Sequence, residues 1–104
     1  MQIVTEVYET IKKANAIQKS KWFNQNWYRD TYGLNSLSPK DLALHFCTVG
    51  VIKEYDPCPS FSTSYYLNLH SDVRNVESNA LYHYITVGRR EGREVSYSRY
   101  SKRM

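Results

Sequence analysis

The chain has 104 residues, of which 41% are hydrophobic and 23% charged, a balance that suits one small globular domain and excludes a chain too polar to fold. Its net charge of +4 arises wholly after Gly88: residues 1–88 carry eight Lys/Arg against eight Asp/Glu, whereas Arg89, Arg90, Arg93, Arg99, Lys102 and Arg103 face only Glu91 and Glu94. No run approaches the roughly 20 apolar residues that span a bilayer, and the N-terminus lacks an apolar signal segment, so a cytoplasmic location is expected, extending to the inner face of a membrane.

In chain order, the first predicted element is an amphipathic helix over residues 3–20. Ile3, Val4, Val7, Tyr8, Ile11, Ala14 and Ile17 recur at three- and four-residue spacing and form one apolar stripe. Glu6 and Glu9 near its start and Lys19 and Lys21 at its end complement the helix dipole.

Beyond this helix, a shift of 38 residues aligns 23–57 with 61–95 without a gap. Phe23 falls on Phe61, Tyr28 on Tyr66, and His45-Phe46-Cys47-Thr48-Val49-Gly50 on His83-Tyr84-Ile85-Thr86-Val87-Gly88. Only six of the 35 aligned positions are identical, but four of them lie in that one block, which marks an internal helical repeat.

Asn24 and Ser62 occupy one position of the repeat and predict N-caps for helices of about two turns. Phe23 with Tyr28, and Phe61 with Tyr66, then have the spacing of a hydrophobic staple. A second helix of unit one should start at Ser38-Pro39, with Pro39 at the first helical position. In unit two the capping residue is Ser78 or Asn79. Both second helices are expected to end at Gly50 or Gly88 in a left-handed cap. Asp56-Pro57-Cys58-Pro59 links the units. The expected fold is therefore all-α in one domain over 1–95, comprising the leading helix and two helix-turn-helix units, 23–57 and 61–95, followed by a flexible basic tail over 96–104.

The unit-two run Phe61-Ser62-Thr63-Ser64-Tyr65-Tyr66-Leu67-Asn68-Leu69-His70-Ser71-Asp72-Val73, and then His83-Tyr84-Ile85-Thr86-Val87-Gly88-Arg89-Arg90-Glu91-Gly92-Arg93, resembles a short helical repeat of bacterial proteins. Its typical form is FDxxYYLxxNPDV, a spacer, then PLxHYLxxGxxEGR. That repeat occurs beside glycosyltransferase domains of surface-polysaccharide biosynthesis and in some secreted calcium-binding repeat proteins. Unit one departs from it, with Tyr32-Gly33-Leu34 at the Asp-Val end and Lys53-Glu54-Tyr55 in place of Glu-Gly-Arg. The resemblance implies an accessory segment of a glycan-assembly protein and assigns no catalytic residue.

Among side chains with chemistry, His45 and His83 stand first. Their equivalent positions point to one structural job done twice, an imidazole N–H donated to a nearby backbone carbonyl. A zinc site from His45, Cys47, Cys58 and His83 lacks a tight two-ligand knuckle and is not expected. Cys47 and Cys58 are expected as free thiols. Arg93 is expected to pair with Asp72, because unit one lacks both partners. There is no Gly-x-Ser-x-Gly elbow, phosphate-cradling glycine loop or His-Glu-x-x-His helix, so a non-catalytic module without cofactor or metal is expected.

The leading functional expectation is protein–protein interaction or self-association through the apolar stripe of the first helix. A second is carbohydrate binding on the rings of Trp27, Tyr65 and Tyr82. A third is attachment to an anionic membrane surface through Lys12, Lys13, Lys19, Lys21 and the basic tail with Arg89, Arg90 and Arg93. Nucleic acid is the less favoured partner, since the body is neutral and presents no broad positive face.

Overall fold

A computed structural model describes residues 2–74 and 79–96 of the chain. The described residues form an all-α fold of helical-repeat character in which no β-strand forms. Helix α1 (Gln2–Lys19) matches the amphipathic segment expected from the sequence. Only the C-terminal half of its stripe is covered: Ala14 and Ile17 are buried, whereas Val7, Tyr8 and Ile11 are 53%, 64% and 42% exposed. The side chains of Ile3 and Val4 lie outside the described set.

After α1 the chain turns at Ser20, whose hydroxyl accepts the Trp22 amide. Helix α2 (Gln25–Tyr32) then starts at Asn24, whose side chain accepts from the Trp27 amide at 3.0 Å. Helix α5 (Thr63–Leu69) starts in the same way at Ser62, which accepts from Tyr65 at 3.2 Å. Each expected staple closes, with Phe23–Tyr28 and Phe61–Tyr66 ring centroids both 5.3 Å apart. Helix α2 ends at Gly33 in the left-handed conformation, where a residue without Cβ carries no steric cost.

The second helices differ from the expectation at their far ends. Helix α3 (Pro39–His45) starts at the Ser38 cap and passes into a π-helical segment, Phe46–Gly50, then into α4 (Val51–Lys53). After the short helix α6 (Ser71–Arg74), helix α7 (Ala80–His83), capped by Asn79, passes likewise into the π-helical segment Tyr84–Gly88. Ser78 lies outside the described residues. Gly50 is right-handed (φ −60°) and continues the helix, and Gly88 is not among the positive-φ glycines, so neither is the left-handed cap expected of it. The left-handed turns fall later, at Glu54 and at Gly92.

Both glycines are set by packing. A Cβ on Gly50 would lie 2.8 Å from the Tyr28 hydroxyl and 3.2 Å from Phe46 Cδ1, and on Gly88 it would overlap the Tyr66 hydroxyl. Both values for Gly50 are closer than normal van der Waals contact. The threonine of the shared block has its own task. Thr48 Oγ1 donates to the Leu44 carbonyl at 2.9 Å, and Thr86 Oγ1 to the Tyr82 carbonyl at 2.7 Å. Such back-bonding competes with the regular ladder, and it sits where each helix widens to π geometry.

Recurrence extends to the backbone that closes each unit. The Asn24 amide donates to the Pro57 carbonyl at 3.0 Å and the Ser62 amide to Val95 at 2.8 Å, two bonds that coincide after a 38-residue shift. Val95 and Ser96 are buried, so the packed body reaches at least Ser96; residues 97–104 lie outside the described set. Between the units, the Asp56 carboxylate accepts the Thr63 amide at 2.8 Å while the Thr63 hydroxyl donates to the Tyr55 carbonyl at 2.7 Å. Trp22 adds an aromatic tie, edge-on to Phe61 at 6.3 Å and to Tyr84 at 5.2 Å. Helix α1 lies across α3 and its π segment and also reaches α7, so one helix spans both units.

The glycine account predicts a coupled pair of substitutions. Gly88→Ala should cost about 1–3 kcal/mol in denaturant unfolding, through the clash with the Tyr66 hydroxyl. Tyr66→Phe in the same chain should recover most of that loss, giving a coupling of about 1 kcal/mol or more. Additive effects would mean that the hydroxyl is not what excludes a methyl group at position 88.

Candidate interaction surface around the first helix

The two histidines come to equivalent places, but their partner is not the expected carbonyl. Tyr28 Oη lies 2.7 Å from His45 Nδ1, and Tyr66 Oη lies 2.8 Å from His83 Nδ1. Burial pushes both phenols well above their usual range, reinforced at Tyr28 by Tyr32, Tyr55 and Cys47. The hydroxyls therefore stay protonated at neutral pH, and each shares one hydrogen bond with the Nδ1 of its histidine. Burial lowers both histidine pKa values, helped by Lys53 at His45 and by Arg93 at His83. A buried hydroxyl satisfied by a half-buried imidazole is a structural arrangement, and it engages the Nδ1 of each histidine.

Arg93 makes the expected ion pair in bidentate form, Nη1 and Nη2 each 3.0 Å from one oxygen of Asp72, with Nε 2.8 Å from Glu91. This holds the Asp72 carboxyl below its usual range. Unit one fills the same place with an aromatic stack, Tyr32 on Tyr55 at 3.8 Å. Arg93 is thus occupied within the fold. Arg90 caps the Thr86 carbonyl at 3.0 Å, and Arg89 is exposed.

The three rings considered for sugar binding do not form a common platform. Trp27 is edge-on to Tyr32 at 6.2 Å, and Tyr82 lies beneath the Lys13 ammonium at 5.6 Å. Tyr65 is half-buried on α5. Tyr82 does border a cleft of about 250 Å³ with Lys13, Asp72, Val73, Asn79, His83 and Thr86. Lys13 and Asn79 also border a larger cleft of about 410 Å³, which holds Cys47, Leu67 and the Glu54–Arg74 ion pair at 3.0 Å. Burial pushes the Cys47 thiol up to about 11, so it stays protonated at neutral pH and is a poor nucleophile or metal ligand. Cys47 and Cys58 are free, and among the described residues no three His, Cys, Asp or Glu side chains gather as a metal site.

Sequence reasoning did not anticipate the groove between α1 and α3. It encloses about 490 Å³ and is lined by Glu6, Val7, Thr10, Ile11, Leu44 and Thr48. Three apolar side chains from two helices face it, and the described residues leave it open. Its signal in the sequence was the apolar stripe of α1, whose Val7 and Ile11 lie beyond the part that the body covers. Among the described residues no helix is long and apolar enough to cross a membrane. Compared with known proteins, the chain matches no family model, no curated protein and no solved structure.

The tyrosine–histidine pairs imply a pH dependence. With folded histidine pKa values below the unfolded value of 6.5, their contribution is fully present above that pH and is lost as pH falls through the folded values. Burial raises the Asp56 pKa, which acts with the opposite sign at the acid end. The thermal midpoint should therefore drop between pH 7.5 and 5, and the slope should flatten in a His45→Gln/His83→Gln chain. An unchanged slope in that variant would place the acid sensitivity elsewhere.

Proposed function

We propose that this chain is a non-catalytic accessory module of a bacterial glycan-biosynthesis protein, acting by protein–protein interaction or oligomerisation. In this reading the two helix-turn-helix units of 38-residue period form a rigid support, and α1 is the element they hold out to a partner. The observation that carries it is the open apolar groove of Val7, Ile11 and Leu44, since an uncovered apolar concavity on a small domain is a common mark of a binding surface. The glycan context rests on the resemblance of residues 23–95 to the repeat found beside glycosyltransferases, and the proposed location is cytoplasmic. Any catalytic step belongs to another domain or chain.

Light scattering on the isolated chain, together with pull-down against the glycosyltransferases encoded beside it, tests the proposal. The expected result is a mass above the monomer or retention of one such enzyme, lost in Leu44→Gln with the helical circular dichroism unchanged. A strict monomer that retains none of them overturns it.

A second reading is supported by the cleft beside Tyr82, where a half-buried ring stands with Asn79, Asp72 and His83, the mixture of face and polar groups that suits a sugar. Titrating surface-glycan fragments while following the Tyr82 ring resonances by NMR should move them. No movement across a broad glycan panel removes this reading.

A further inference from the structure

Lys13 stands where two clefts meet. It borders the one of about 250 Å³ beside Tyr82 and the one of about 410 Å³ that holds Cys47 and Leu67. The residue is half-buried, and its ammonium lies 5.6 Å from the centroid of the Tyr82 ring. Every other charged side chain lining these two clefts is matched within the fold, Asp72 by Arg93 and Glu54 by Arg74. Lys13 is not. Glu6 and Glu9 border a third cleft with it, Glu9 one turn before it on α1, yet among the described residues Lys13 makes no ion pair with either. Nor do its three ammonium donors meet an acceptor there. A ring face attracts the cation but supplies no hydrogen-bond acceptor of the usual kind, so the fold holds this charge at the cleft without compensating it.

We infer that the Tyr82 cleft takes an acidic sugar, one residue of a glycan whose ring bears a carboxylate, and that Lys13 is the side chain that selects the charge. This rests on the reading of that cleft as a sugar site. The charges match in number. One uncompensated cation is neutralised by one carboxylate, in a charge-assisted hydrogen bond stronger than any the ammonium makes to a neutral hydroxyl. A sugar phosphate, close to dianionic at neutral pH, would keep an unmatched charge beside Asp72. The volume lies below the roughly 300–1,000 Å³ of sites for drug-sized ligands, which suits a single sugar ring. Its walls carry groups that bond sugar hydroxyls: the Asp72 carboxylate, fixed by both Arg93 nitrogens, the Thr86 oxygen, and the His83 ring nitrogen that the Tyr66 contact does not use.

Titration of the full chain with disaccharides of galacturonate, glucuronate and mannuronate, each beside its neutral hexose counterpart, tests the inference, with the Tyr82 ring resonances as the signal. At least one uronate should bind about tenfold tighter than its counterpart at low salt, and the advantage should shrink as salt is raised. Lys13→Gln should bring that uronate to the affinity of the neutral sugar, while Lys13→Arg keeps most of the preference and circular dichroism is unchanged in both. Equal affinity within every pair overturns the inference and leaves the sugar reading in place. Resonances that move with no member of the panel remove both. A uronate preference that survives Lys13→Gln also overturns it, because the basic residues after Gly88 would then be holding the carboxylate.

Discussion

The constraint on which the rest of the structure depends is the contact of a buried tyrosine hydroxyl with a histidine across a glycine. In each unit the first helix sends a tyrosine against the second helix, Tyr28 to His45 and Tyr66 to His83. The ring arrives so close that the facing residue can carry no side chain, at Gly50 and at Gly88. Burying a phenol in a small core is costly unless its hydroxyl is satisfied, and the imidazole supplies the partner. One contact thus fixes the spacing between the two helices of a unit and decides three residue types in each copy.

The surrounding features follow from that approach. Threonine one turn along from each histidine bonds back to a carbonyl where the helix widens, and Phe46 or Tyr84 packs against the same tyrosine ring from the side, at 5.7 and 5.9 Å. The backbone bonds from Asn24 to Pro57 and from Ser62 to Val95 close each unit upon itself. Two such small bodies bury little surface alone. Trp22, the Asp56–Thr63 junction and the span of α1 join them into one core.

The units differ where they meet different surroundings. At the position of Tyr55 stacked on Tyr32, unit two has Arg93 clasping Asp72 and Glu91. The aromatic version lies at the junction, where Tyr32 also accepts the Asp56 amide. The ionic version lies at the far end of the repeat, and its carboxylates are largely exposed.

Much of this was legible in the residues because it is local. The caps at Asn24, Ser62 and Ser38, the staples, the length of α1 and the 38-residue register all depend on side chains a few positions apart, and the chain itself supplies that geometry. What tertiary structure alone decided depends on residues far apart in sequence. A glycine after a helical run reads as a left-handed cap until a tyrosine 22 positions upstream is seen to occupy the space, as Tyr28 does at Gly50 and Tyr66 at Gly88. The imidazole's partner is not legible locally for the same reason, since the hydroxyl that reaches it lies 17 positions away in the chain. The sequence marked an apolar stripe on α1, but how much of it the body covers is a matter of where α3 and α7 stop beneath it, and only the packed chain determines that.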